Sequence, residues 1–154
     1  MRPKVIISGG QSGVDRAALD FALEKGLETG GWIPKGRIAE DGVIDRKYPN
    51  LTETGSERYS ERTELNIIDS DATLIISNGE LKGGSKLTRE LTEKHKKPSF
   101  HLNFANTEGT QERLEILHWL SSIPCERLNI AGPRASEDKE IYQRTRDLLR
   151  LLFD

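Results

Sequence analysis

The chain has 154 residues, 23 Lys+Arg against 25 Asp+Glu for a formal net charge of -2, and a single cysteine, Cys125. That length suits one domain with a real core, residues 1–154; the charge balance gives no reason to expect a nucleic-acid binder; and one thiol excludes an internal disulfide. No apolar run approaches the roughly 20 residues of a membrane span and no secretory leader opens the chain, so a cytoplasmic protein with no membrane partner is expected.

The first apolar run, Val5-Ile6-Ile7, ends at Ser8-Gly9-Gly10-Gln11-Ser12-Gly13, and a helical pattern begins at once. Val14, Ala17, Ala18, Phe21 and Ala22 recur at helical spacing, and Gly26 is a good stop. Four further apolar runs follow, at 27–33, 72–77, 99–103 and 127–131. Most are short, continuous and bounded by turn residues, which is the pattern of strands buried on both faces of a parallel sheet. Helical patterns cover 58–69, 85–96, 111–123 and 136–153, the second of them halted by Pro98. Residues 36–57 are polar, hold Gly42, Pro49 and Gly55, and lack periodicity. A connection of that length in a compact domain is often functional. Alternating strands and helices predict an α/β fold, a Rossmann-like three-layer sandwich with a mainly parallel sheet of about five strands. Ligands on such sheets bind beyond the carboxyl ends of the strands, so the loops there hold the candidate sites.

The loop after the first strand, Gly9 to Gly13, leads into a helix start. Its glycines let backbone N–H groups approach an anion, and the helix terminus adds free donors and partial positive charge. Asp15, in the first helical turn, would repel a phosphate unless it faces away or binds a ribose or ring group. The dinucleotide fingerprint wants glycine where Ser8 stands, and the Walker lysine is missing. A tight strand-to-helix turn with no ligand is the competing explanation. After the second strand, Lys35 and Arg37 stand where an NAD site would place an acid, and they favour a phosphate or another acidic group. Arg37 is read equally well as part of a solvated loop, Trp32 as core, and Glu40-Asp41-Gly42 either as a ring or ribose contact or as a turn. Tyr59, Arg62 and Asn66 lie three and four apart on one helix face. An Arg beside a glycine loop holds anions bidentately, although an ion pair with Glu61 or Asp69 would also occupy it. The loop from Ser77 to Thr88 supplies a second glycine-rich cradle in Gly83 and Gly84, with hydroxyls from Ser85 and Thr88. Two cradles on adjoining strand ends suit a ligand with a phosphate and an extended ring system. Arg134 adds a basic edge or belongs to an ordinary turn. His95, His101 and His118 are scattered without ligand spacing, so no metal site is expected.

The blocks SGGQSGVDRAALDFA, GGWIPKGRIAEDG, YSERTELNIIDSDATLII and GGSKLT, in that order from residue 8 to residue 88, resemble the molybdenum cofactor carrier family. The family sits in a Rossmann-like superfamily with the cytokinin-activating phosphoribohydrolases and the DNA-processing protein A group. The resemblance implies a parallel-sheet α/β fold, self-association into a homo-oligomer, and a pocket for an anionic pterin- or nucleotide-like ligand, such as molybdenum cofactor. The alternative it implies is an N-glycosidic phosphoribohydrolase acting on nucleoside monophosphates, whose P-G-G-x-G-T-x-x-E motif carries a catalytic Glu. Gly83, Gly84 and Glu90 fall in that register, but Lys82, Lys86 and Leu87 replace the proline, the last glycine and the threonine, which favours binding without turnover. Single-stranded DNA binding gains nothing from the charge balance or from 6% aromatic content. The expected ligand-binding set is Gly9, Gly10, Gln11, Ser12 and Gly13 on one side and Gly83, Gly84, Ser85 and Thr88 on the other. Lys35, Arg62 and Asn66 close the pocket and Tyr59 forms a stacking wall.

Overall fold

The computed structural model describes residues 2–106 and 110–154. The first strand, β1 (Val5–Ile7), leads through the glycine loop into α1 (Val14–Lys25). Gly26 closes that helix in the left-handed conformation, its N–H bonded back to the last turn, as a glycine C-terminus does. The chain returns through β2 (Glu28–Ile33). The long polar connection then holds three short strands, β3 (Ile38–Ala39), β4 (Gly42–Val43) and β5 (Leu51–Glu53). Beyond it come α2 (Tyr59–Ile68), β6 (Ala72–Ser77), α3 (Gly83–Lys94), β7 (Ser99–Asn103), α4 (Thr110–Ser121), β8 (Arg127–Ala131) and α5 (Ile141–Phe153).

The main sheet is parallel, in the order β5-β2-β1-β8-β6-β7, and β3 and β4 form a separate antiparallel hairpin. The fold is the expected Rossmann-like α/β sandwich. Its sixth strand, β5, hides in the stretch read from sequence as loop, because three residues, Leu51-Thr52-Glu53, are too few and too polar to show a strand period. The last helix is shorter than its sequence pattern: residues 136–140 form turns, and α5 opens at Ile141.

Alternation along the strands explains the two faces. Ile6, Leu74, Ile76, Leu128 and Ile130 point to one side and pack with Val14, Phe21, Ile116 and Leu149 from α1, α4 and α5, which is the main core. The intervening residues turn towards α2 and α3, and several are small or polar. Asn129 Nδ2 donates to Thr73 Oγ1 at 3.2 Å in this layer, both residues buried. Thr63, Thr88 and Thr92 are buried there as well. That second layer mixes these polar groups with the buried Ile7, Ile67 and Ile75, and it opens at the carboxyl ends of β1, β8 and β6. The final strand in the chain, β8, lies in the middle of the sheet between β1 and β6. The two glycine loops are therefore not on adjoining strands, as the sequence suggested, but are separated by β8 and the turns that follow it.

Candidate functional site

A cleft of about 270 Å³ opens at the carboxyl ends of these strands. Gln11 and Asp15 approach it from the β1–α1 connection, Tyr59, Arg62 and Thr63 from α2, and Gly83, Gly84, Ser85 and Thr88 from the start of α3. Gly132, Arg134 and Glu137 reach it from the segment after β8. A neighbouring hollow of about 510 Å³, lined by Ser77, Asn78, Lys82 and Asp138, shares Ser85 and Glu137 with it. Small-molecule sites commonly occupy about 300–1,000 Å³, and the two hollows side by side fall in that range.

The two glycine loops are not equivalent. In the first, four backbone donors, those of Gly10, Gln11, Ser12 and Val14, are already occupied within the protein. Gly10 N–H donates to Ser8 Oγ at 3.1 Å, Gln11 N–H to Asp15 Oδ2 at 3.2 Å, and Ser12 N–H to Gln11 Oε1 at 3.0 Å. Val14 N–H donates to the Pro133 carbonyl at 3.2 Å. The Asp15 carboxylate thus stands where an anion would otherwise sit. In the second loop, Ser85 and Lys86 N–H both bond back to the Lys82 carbonyl. The Gly83 and Gly84 N–H groups, at the first two helical positions, have no acceptor among the described residues, as helix starts generally leave them. The first turn of α1 carries a buried acid, Asp15, and the first turn of α3 carries none, so charge makes the start of α3 the better seat for an anion.

Gln11 is held from both sides. Its Oε1 accepts from Ser12 N–H and, at 2.8 Å, from Glu40 N–H, while its Nε2 is buried without any acceptor among the described residues. Arg62 lies against Gly9, where a Cβ would come within 2.3 Å of Nη1. Its Nη1 donates to Thr63 Oγ1 at 3.1 Å, Nη2 stands 3.7 Å from Asp15 Oδ2, and the guanidinium lies 5.7 Å from the Tyr59 ring centre. Arg62 Nε, like Gln11 Nε2, is buried with no partner among the described residues. Asp15 is buried, and burial raises its carboxyl pKa above the ordinary 3.8, against the opposing pull of Arg62, the Gln11 N–H and Arg16. Its Oδ1 receives no hydrogen bond among the described residues.

Several expected site residues serve the scaffold instead. Asn66 is buried, and its amide clamps the backbone of Trp32: Oδ1 accepts from Trp32 N–H at 2.6 Å and Nδ2 donates to Trp32 O at 3.0 Å. It takes the ladder partners that β1 would supply one residue further on, had β1 not turned into its glycine loop. Lys35 is exposed beside β5, its N–H bonded to Ser56 O, and does not line the cleft. Ser12 donates to the Glu40 carboxylate and accepts from Ala135 N–H at 3.1 Å. Gly13 gives way to the segment after β8, since a Cβ there would lie 2.3 Å from the Pro133 carbonyl oxygen. Gly10 packs against Ile33 and Ile44. Arg37 is buried and donates to the Ile44 and Asp45 carbonyls, and Asp41 pairs with Arg16. Arg134 sits at the cleft edge, 3.7 Å from Glu137. Glu90 is exposed on α3 and does not line the cleft.

Sequence reasoning underrated Asp15 and Glu40. An acid in a first helical turn usually answers the helix dipole in solvent, and nothing local showed that tertiary packing would bury Asp15 at the cleft. Glu40 joins three segments, accepting from Ser12 and from the Ser136 N–H (3.1 Å) and hydroxyl (2.6 Å). Those bonds, Ser12 first, hold its pKa below the ordinary value of 4.5. Among the described residues no group of His, Cys, Asp and Glu is placed to hold a metal ion, and no helix is long and apolar enough to cross a membrane.

A crystal structure of a protein from Syntrophus aciditrophicus SB, named "putative molybdenum carrier protein", is 49% identical to this chain, superposes with a TM-score of 0.96, and the match covers 99% of this chain and 96% of that one. No curated protein matches the chain. The circularly permutated YpsA SLOG family matches residues 6–153, nearly the full length. With its parallel sheet, its cleft at the strand ends and these two agreements, the chain belongs to the circularly permutated YpsA SLOG family.

Proposed function

We propose that the protein binds and carries an anionic, phosphorylated small molecule, either molybdenum cofactor or another pterin- or nucleotide-like compound, without converting it. The observation that carries this reading is the pair of buried N–H donors, Gln11 Nε2 and Arg62 Nε, left without acceptors in residues that line one cleft. An unmet buried donor costs about 1–3 kcal/mol, so a small turn of either side chain towards the acceptor oxygens of a ligand in the cleft relieves that cost on binding. The free N–H groups of Gly83 and Gly84, the Ser85 hydroxyl and the α3 dipole add a phosphate seat. Tyr59, about two-fifths exposed, offers a ring face at the rim. The name of the Syntrophus protein agrees with a carrier role. No observation favours the phosphoribohydrolase, since the only acid in its motif register, Glu90, faces solvent. Self-association belongs to the same reading and is tested by light scattering in solution.

The test is mass spectrometry of the small molecule that copurifies under anaerobic, non-denaturing conditions, followed by calorimetric titration of the identified compound. Arg62→Ala is expected to weaken binding by about 1.5–3 kcal/mol, the scale of hydrogen bonds to charged groups. Unchanged affinity would make Arg62 a scaffold residue and remove the main support for this site.

A further inference from the structure

The Asp15 carboxylate and the Arg62 guanidinium, both in the lining of the cleft, stand near each other without completing a pair. Arg62 Nη2 is 3.7 Å from Asp15 Oδ2, beyond the roughly 2.7–2.9 Å of a made charge-assisted hydrogen bond. Among the described residues Asp15 accepts one hydrogen bond, from Gln11 N–H at 3.2 Å, and Arg62 Nε donates to none. The two side chains are withdrawn from water, Arg62 13% and Asp15 4% exposed. Charges so placed are normally paired and fully hydrogen-bonded, because water no longer solvates them. Here each is only half satisfied. The neighbouring charges are otherwise engaged. Arg16, next to Asp15 on α1, pairs with Asp41 at 2.9 Å. Arg134 and Glu137, from the segment after β8, lie 3.7 Å from each other. Glu40 is taken up by Ser12 and Ser136. Tyr59 is the remaining titratable group that α2 brings to the lining, and the start of α3 brings none.

Building on the carrier reading above, we infer that Asp15 is an internal counter-ion of Arg62 in the free protein and takes up a proton when an external anion enters the cleft, so that loading and release of the cargo are coupled to proton uptake and loss. An arriving anion acts on Asp15 in two ways. It draws on the Arg62 charge that favours the carboxylate, and it sets a second negative charge nearby in a site of low dielectric. Both raise the cost of keeping Asp15 ionised, and a proton taken from solvent removes that cost. The neutral carboxyl then has an O–H to donate. Asp15 starts close to this change, since burial already lifts its pKa above 3.8. By linkage, a site that gains a proton on binding holds its anion more tightly at low pH and loosens it as pH rises.

The experiment is calorimetric titration of the full chain, freed of any copurified compound, with sulfate between about pH 5 and about pH 8, where sulfate keeps its charge. Glu40, held below 4.5, stays ionised in that range. Affinity is expected to fall as pH rises, with a limiting slope of about tenfold per pH unit for one proton. The heat is expected to differ between two buffers of unlike ionisation enthalpy, as proton uptake requires. Asp15→Asn, which cannot ionise, is expected to bind sulfate with the same affinity at every pH, about tenfold or more tighter than the unaltered chain at the upper end. Thermal unfolding shows whether the variant is folded. Carboxyl-carbon NMR of the unaltered chain stands without it: the Asp15 signal is expected to titrate at higher pH with sulfate bound than without. Sulfate binding that is independent of pH, with equal heat in both buffers, overturns the proton coupling and leaves the anion-carrier reading intact. A pH slope that persists in Asp15→Asn places the proton on another group and likewise overturns the coupling. No sulfate binding at any pH removes the anion seat and overturns both.

Discussion

Two glycines in one loop serve different ends, and they separate fold from function at single residues. The three atoms nearest to a Cβ on Gly9 all belong to the guanidinium of Arg62, the far end of a flexible side chain. Gly9→Ala is therefore expected to fold with little loss of stability but to displace Arg62, weakening ligand binding to the same degree as Arg62→Ala. Gly13 has φ near 80° and backbone atoms of Pro133, Arg134 and Ala135 within 3 Å of the missing Cβ. Gly13→Ala forces both a left-handed alanine and a clash with main chain. It is expected to cost about 2–4 kcal/mol of stability. Thermal unfolding and titration of the two variants check the contrast. A destabilised Gly9→Ala protein would show that the loop is tighter around Arg62 than its side-chain contact implies.

At the scale of elements, the β1–α1 loop, the β3–β4 hairpin and the turns before α5 are tied together by one carboxylate. Glu40 accepts from Ser12 and Ser136, and its own N–H holds Gln11 in place. Its pKa is lower in the folded protein than the ordinary 4.5. The contribution it makes is thus present at neutral pH and is lost as pH falls below 4.5 through the folded value. Asp15 works with the opposite sign. Its folded pKa is raised above 3.8, so the stability linked to it is present below 3.8 and is lost as pH rises through the folded value. Melting temperature measured against pH should show Glu40→Gln less stable than the parent at neutral pH, with the gap narrowing in acid. Asp15→Asn should lose less stability than the parent as pH rises above 3.8. A Glu40→Gln profile parallel to the parent at every pH would mean that the three segments are held by other bonds.

Across the whole molecule, the central position of β8 turns two sequence-distant loops into one site. β1 and β6 flank it, and Gly132 with Arg134 fill the space between their loops. The same arrangement leaves Glu90 outside. N-glycosidic cleavage needs a carboxyl group near the anomeric carbon, to stabilise cationic character or activate water. An acid on the solvent face of α3 has no path to a ligand in the cleft. Incubation with nucleoside monophosphates, followed by chromatography, is expected to show no release of free base. Multiple turnovers that disappear in Glu90→Gln would reverse that expectation.

The sequence by itself determined the α/β class, nearly all of the helices and the longer strands, because continuous apolar runs and helical spacing are local patterns that burial on a parallel sheet enforces. It also singled out residues from separate loops that the fold brings together: Gln11, Tyr59, Arg62, Gly83, Gly84, Ser85 and Thr88 line one cleft. It did not separate those residues from Ser12 and Asn66, which share the same loop or helix face, or from Lys35 in the connection after β2, all with the same polar chemistry. Only the tertiary structure decided that Asn66 completes a backbone ladder beside Trp32, that Ser12 is taken by Glu40, and that the N–H groups of Gly10, Gln11, Ser12 and Val14 are spent on Ser8, Asp15, Gln11 and Pro133. A residue type fixes what a side chain can donate or accept. Whether that capacity is left over for a ligand depends on partners from distant parts of the chain, such as Pro133 for Val14 and Glu40 for Gln11, and only the packed fold brings them within hydrogen-bonding distance.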